Sequence, residues 1–569
     1  MVFRGQNFEP IELNIAGSSV FGKYPKINSE KTYNMFLSDD FLFPYSGYEI
    51  AIEASKFLSG KVGRGAFTSA KFGAMVIVID QNAFLVTVTY NQQTEKIQFS
   101  QVILIGSLQT STGVVYIAEN NKPQIAISDG TAIYIYDPST TPTFQTVTDF
   151  GAITFTPGYI TFHDTYFICA ALNDSDGKTN RWRLSQPNEG LHWPSTSSFV
   201  GELQTKPDRI QAVVRFPSKG NMIFVMGTIV TEAWFDTGNT LFPYSRTTQF
   251  NIDYGCVSPA TVAYSDQVVV WLAQNEKSGP IILSSDGGMP RKITTDGIDQ
   301  LFSQLQNPQD SQAFLYRQDG HFFYHINFYS DNLSLFYDFN TDKFYHACDQ
   351  NLNYFIAAEV AFYKNQYYFV SRNTGNLYSF DTIFTTYQDT LPHSTTIVTN
   401  EIPRFRVCRN IRQRSQDYFI ANDVSFTIES GETDWQQQSL GPFGFITQDG
   451  HPLITQGGVV EFIYQDGNTI VTQNDEILQG QSSDSGSFSY LIAQQDDVIY
   501  STPRVDLSIS TDGGATFGQD QPFVLPPIGI RKNKLIWWQQ GIVNDLVCQF
   551  KFWGLGRFVA TSGEVNIRK

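Results

Sequence analysis

Charge is scarce in this chain: Asp, Glu, Lys and Arg make up only 16% of its 569 residues, yet the formal net charge is −17. An acidic surface repels phosphate, which excludes nucleic-acid binding through one broad basic face but not a body that surrounds DNA without gripping it. Cysteine is sparse as well. Cys169, Cys256, Cys348, Cys408 and Cys548 are odd in number, with 60 residues or more between neighbours and no CxxC pair. Neither a disulfide framework nor a zinc knuckle fits that spacing, and the expectation is five reduced core thiols in a protein folded in a cytoplasm. Long apolar runs are missing: the stretch 74–88 is broken by Asp80, Gln81 and Asn82, so no membrane-spanning segment is expected. The first ten residues carry Arg4 and Glu9 and no apolar core of a secretory signal. Catalytic signatures are absent too. No GxSxG, HExxH or P-loop pattern occurs, and no GxGxxG follows an expected strand, so the sequence gives no reason to expect an enzyme, a cofactor or a metal. Acidic residues are plentiful, but nothing singles out two of them as a glycosidase pair.

What the chain does have is aromatic residues and glycine, with 47 Phe, 28 Tyr and 43 Gly, a balance that favours strands and tight turns. The stretch 208–295 shows the pattern most plainly. Met222 to Met226 stops at Gly227, and Ile229 to Phe235 stops at Asp236-Thr237-Gly238-Asn239. Val268 to Ala273 stops at Asn275 to Gly279, and Ile281 to Leu283 stops at Ser285-Asp286-Gly287-Gly288. Short runs of Val, Ile, Phe and Trp cut by Gly, Asp and Asn are strands joined by hairpins. Helical spacing appears only at Ile298, Leu301, Phe302 and Leu305, which predicts a short helix over Ile298 to Gln306.

A weak repeat closes several units. Asp137, Asp236, Asp338 and Asp381 each follow an aromatic strand end, and the last two stand 43 residues apart. The earlier gaps are a little over twice that. A period near 43 with three or four strands per unit predicts an all-β fold, a β-propeller of about six or seven blades. The rival, a pair of β-sandwiches, needs no repeated strand-end residue. Residues 1–65 are expected to form an extended N-terminal arm and 66–393 the propeller. Residues 394–569 should form a smaller C-terminal β domain, with an inserted hairpin-rich segment at 431–497 whose candidates are Val459–Tyr464 and Thr469–Thr472. That polar segment is expected to project from the body.

Four features compete for a functional role. Arg404, Arg406, Arg409, Arg412 and Arg414 fall within eleven residues, with no acid between Glu401 and Asp417. Guanidinium forks suit an acidic partner surface, so the five are candidate partner-interface residues; equally, they would serve as an exposed strand that balances its own chain's acidity. Ser510-Thr511-Asp512-Gly513-Gly514-Ala515-Thr516-Phe517 matches the Asp-box hairpin turn, in which Ser and Asp satisfy turn amides. Asp174-Ser175-Asp176-Gly177 resembles the start of a calcium loop but lacks the later Glu, and a hairpin tip accounts for it. His321 and His325 match zincin spacing only on a helix; on the strand expected here they are sheet-face residues.

Several stretches in order resemble the tail nozzle (hub) proteins of short-tailed bacteriophages, also called packaged-DNA stabilisation proteins. They are Ile27 to Met35, Phe43 to Tyr48, Asp208-Arg209-Ile210 leading into Glu232 to Phe235, Gly255-Cys256-Val257, Gly279-Pro280 with Ile281 to Leu283, Phe550-Lys551-Phe552, and Gly563 to Arg568. The tract 431–497 has no counterpart. The resemblance implies a homo-oligomer, a hexameric ring mounted under the portal–adaptor proteins of the virion tail and assembled in the host cytoplasm. Such a ring continues the channel for double-stranded DNA, helps retain the packaged genome, and carries tail fibres or tailspikes and a tip plug. Two other classes fit a propeller: a glycoside hydrolase or sialidase, and a glycan-binding adhesin.

Overall fold

The computed structural model describes residues 8–22, 30–91, 96–216, 219–247, 251–265, 267–381, 384–390, 396–412, 418–430, 454–456, 460–463, 479–480, 503–525, 532–554 and 557–568. Six successive antiparallel sheets, at 63–107, 116–146, 155–202, 210–246, 255–292 and 311–346, are built from consecutive strands and are numbered here as blades one to six. A seventh blade combines Ala357–Tyr363, Gln366–Ser371 and Leu377–Asp381 with a strand from the opposite end of the chain, Gly47–Ile52. The register pairs Phe380 with Tyr48 and Asp381 with Gly47. Ala357–Tyr363 packs on Gly63–Ser69 of blade one, so the ring of blades closes. The chain is an all-β propeller with a further β region, as the repeat predicted.

The repeated aspartates have a physical reason. Asp137, Asp236 and Asp338 stand at the end of the third strand of their units, and the amide two residues on donates to the carboxylate: Ser139 to Asp137 at 2.8 Å, Gly238 to Asp236 at 2.9 Å and Asn340 to Asp338 at 2.9 Å. The side chain thereby makes the turn into the fourth strand. The expected helix forms over Asp296–Phe302, burying Ile298 and Phe302. Leu305 lies beyond it, its amide donating to the Phe302 carbonyl at 3.2 Å.

Closure of the last blade depends on one glycine. A Cβ on Gly47 would stand 2.5 Å from the carbonyl oxygens of both Phe384 and Thr386, so the strand fits only without a side chain there. Tyr45, just before it, enters an aromatic core between blades six and seven. Its ring stacks on Phe336 at 4.2 Å, and its hydroxyl is 2.8 Å from Nδ1 of His325.

The described N-terminal residues join the propeller to the C-terminal sheets. Glu9–Leu13 pairs with Gly563–Arg568, while Lys31–Tyr33 bridges the last strand of blade six and Arg404–Val407. Blade six is thereby extended through Arg404–Val407, Asp545–Trp553, Arg504–Ser510 and Gln521–Val524 into a ten-stranded sheet. A seven-stranded sheet, centred on Phe419–Ser430, packs across it around Phe426, Trp537, Phe550 and Val565. All five cysteines are free and buried. Among the described residues no helix is long and apolar enough to cross a membrane. Most of the tract 431–497 lies outside the described residues, Thr469–Thr472 included. Within it, Val460–Ile463 pairs antiparallel with Ile454–Gln456 and Gln479–Gly480.

Candidate functional site

The arginine segment is split by the fold. Arg404 and Arg406 alternate with Phe405 and Val407 on one strand, and both are buried, Arg406 with no exposed surface at all. Arg406 Nη2 donates to Glu30 Oε2 at 2.5 Å and to the Asn14 carbonyl at 2.7 Å. Its Nη1 donates to the Ser18 carbonyl at 2.9 Å and to Thr32 Oγ1 at 3.2 Å. A Cβ on Gly17 would run into this guanidinium. Arg404 lies 5.7 Å from the centre of the Phe558 ring. Arg406 thus ties the N-terminal residues to the C-terminal β region of its own chain. Arg409 is exposed and Arg412, half-exposed, pairs with Asp545. Arg414 lies outside the described residues.

The other motifs are structural. In the turn at 510–517, Asp512 accepts from the amides of Ala515 and Thr516 at 3.0 Å each and from Thr516 Oγ1 at 2.7 Å. Ser510 Oγ accepts from the Gly514 amide at 2.9 Å. Asp174 and Asp176 sit at a hairpin tip, where Arg181 bridges both at 2.8 and 2.7 Å and Arg183 reaches Asp174 at 2.6 Å. His321 pairs with Asp338 at 2.8 Å, and His325 lies between Tyr45 and Asn327. Burial holds the His325 imidazole neutral, its pKa down at about 3.

A cluster that no motif announced lies where the innermost strands of the blades converge. Tyr116 comes from blade two, Tyr159 from blade three, Arg215 from blade four, Tyr264 from blade five and Glu359 from blade seven. The rings of Tyr116 and Tyr159 stand 4.8 Å apart at 44°, and the Arg215 guanidinium lies over the Tyr264 ring at 5.4 Å. Tyr159 is buried within electrostatic reach of the other four, and desolvation pushes its phenol well up. Burial likewise pushes the Glu359 carboxyl up to about 8. Arg215 Nε is buried with no hydrogen-bond partner among the described residues. The available signal in the sequence was a charge inside an apolar run: Arg215 ends Ile210–Arg215, and Glu359 interrupts Ala357–Tyr363.

No curated protein matches the chain. Among solved structures, the N-terminal domain of Nup159 is similar at 12% identity and a TM-score of 0.34, over 60% of this chain and 96% of that one. Virginiamycin B lyase from Staphylococcus aureus is similar at 9% identity and a TM-score of 0.37, over 59% and 99% respectively. The computationally designed Ika8 protein is similar at 12% identity and a TM-score of 0.33, over 58% and 99%. A family model described as bacteriophage P22 Gp10, beta-propeller, matches residues 76–383, from the second strand of blade one to the end of blade seven. With over half its length matched, the chain belongs to the bacteriophage P22 Gp10 β-propeller family of phage structural tail proteins, the nozzle and DNA-stabilisation family.

Proposed function

We propose that this chain is the nozzle, or hub, subunit of a phage tail. Several copies, six in the arrangement that the resemblance implies, form a ring below the portal–adaptor assembly. The ring continues the DNA channel, retains the packaged genome and carries fibres or spikes and a tip plug. Assembly takes place in the host cytoplasm, and the role is structural and not enzymatic. The family match across residues 76–383 carries this reading. The charge supports it, since a lumen lined by chains of net charge −17 repels DNA and lets it slide.

The seven-stranded sheet supplies a surface for assembly. Pairing Ile420 with Ile542 and Asp423 with Trp538 puts Ile420, Ile542 and Trp538 on its outer face. Trp538 and Ile542 are 62% and 69% exposed, and Tyr418 stands beside them at 70%. Exposed apolar groups so close together mark a contact surface more often than a solvated one. Of the arginine segment, Arg409 and Arg412 are the exposed described members, and Arg412 already pairs with Asp545 of its own chain. For this role we keep the division 1–65, 66–393 and 394–569, with the first segment tying the other two together and 431–497 projecting from the ring.

Class averages of the purified full-length chain test the reading. Rings with a central opening are expected, and replacing Trp538 and Ile542 with Ser should leave folded monomers. Parent protein that stays monomeric at every concentration up to about 10 µM, well within the range of a stable interface, overturns it.

A further inference from the structure

We propose that the convergence of Tyr116, Tyr159, Arg215, Tyr264 and Glu359 on the propeller axis is a binding site for a small hydroxylated carboxylate, with Arg215 as the anion anchor. The inference goes beyond the tail role and does not depend on it.

The argument starts from Arg215. A guanidinium carries five N–H donors and is always charged. Here it is half-buried with one face against Tyr264, and neither a hydrogen bond nor an ion pair to it is found among the described residues. Among the described residues the Nε atoms of Arg183, Arg404 and Arg406 are also buried without a hydrogen bond, but Arg183 and Arg406, like Arg64, have acceptors on their other nitrogens. Arg406 donates to four oxygens, Arg183 pairs with Asp174, and Arg64 donates to Asp80, Thr110 and Gly113. A buried guanidinium nitrogen left without an acceptor costs stability unless something supplies one, and a planar carboxylate matches the guanidinium edge.

The surroundings narrow the ligand. The hydroxyls of Tyr116, Tyr159 and Tyr264 have no described partners either, so three phenols present donors and acceptors beside aromatic faces. That combination suits a compact molecule bearing several hydroxyls on an apolar ring or chain. Charge argues for a monoanion, because Arg215 is the one cation of the cluster and a dianion would leave a charge unbalanced in a poorly solvated place. Glu359 stays protonated at neutral pH and so offers an O–H donor instead of a repelling charge.

The groups facing Glu359 are known from each side. Tyr116 and Tyr159 approach from blades two and three, and Tyr329 from blade six, with Arg372 beside it. Arg64 on the neighbouring strand is held by Thr110, Gly113 and the Asp80 carbonyl, and Arg317 lies over Phe322. No cation among these pairs with Glu359. When it ionises above about pH 8 it therefore opposes an anion on the axis.

Calorimetric titration of the full-length chain with D-glucuronate, D-glucose and inorganic phosphate, at pH 6.5 and pH 9, tests the proposal. Saturable one-to-one binding of glucuronate at pH 6.5 is expected, with weaker binding at pH 9. Glucose and phosphate should both bind at least about tenfold more weakly, the loss that one charge-assisted hydrogen bond carries. Arg215→Gln should lose a similar factor, and Tyr159→Phe, which keeps the ring, should weaken binding by less. Glu359→Gln should bring the ratio of affinities at the two pH values towards one. Ligand-induced stabilisation of the unmutated chain against heat gives a second readout that no folding defect can mimic. Absence of saturable glucuronate binding up to about 50 mM, beyond any specific affinity, overturns the proposal, as does glucose or phosphate binding equally well. Folded Arg215→Gln protein that binds like its parent also overturns it.

Discussion

Replacing Arg406 with Met should release the N-terminal residues from the body of the protein. The side chain is fully buried and donates to Asn14, Ser18, Glu30 and Thr32, all from the segment that links blade six to the C-terminal sheets. Met retains most of the stem volume, so the perturbation is mainly electrostatic. Removing one partner of a buried pair leaves the other charge uncompensated and typically costs about 3–5 kcal/mol. Because a chain of this size is not expected to unfold in one step, the loss is best read locally. Hydrogen exchange in peptides covering 14–34 and 404–407 should speed up by roughly two to four orders of magnitude, the factor that such an energy corresponds to. Blades two to four should be unchanged. Replacing Glu30 and Arg406 together with Met should recover much of the loss, since two desolvation penalties vanish with the two charges. Protection in 14–34 that is the same in Arg406→Met as in the parent would refute the reasoning. So would a double variant no better protected than the single one.

Three further outcomes are expected. The Glu359 carboxyl is raised to about 8 in the fold, so between its ordinary range and that value the folded state holds a proton that the unfolded state has released. Stability therefore falls as pH rises through that window, and Glu359→Gln should melt higher than the parent at pH 9 but alike near pH 4, by differential scanning calorimetry. His325 and His346 show the opposite limb. Burial lowers both to about 3, so stability should fall as pH drops from about 6.5, the ordinary imidazole value, towards 3, and His346→Gln should flatten that slope in acid melting curves. Gly47→Val drives a side chain into the Phe384 and Thr386 carbonyls and should open the ring at blade seven, read as rapid proteolysis between blades seven and one; a variant as resistant as the parent would contradict that account of closure.

The propeller was legible in the sequence because its signals are local. Strand length, turn residues and the aspartates at the ends of third strands act within a few residues, and Asp137, Asp236 and Asp338 do make the turns that their spacing suggested. The Asp512 turn and the short helix at Asp296–Phe302 were readable for the same reason. Tertiary structure alone decided where the charges went. Arg404 and Arg406 look like Arg409 and Arg412 in a linear reading, yet Arg406 is buried against Glu30, 376 residues earlier in the chain, while Arg409 stays in solvent. The source of the fourth strand of blade seven, and the meeting of Tyr116, Tyr159, Arg215, Tyr264 and Glu359, likewise depend on ring closure. Periodicity fixes which face of a strand is apolar. It carries no information about which distant segment supplies the partner for a buried charge, and that is where the chemistry of this chain resides.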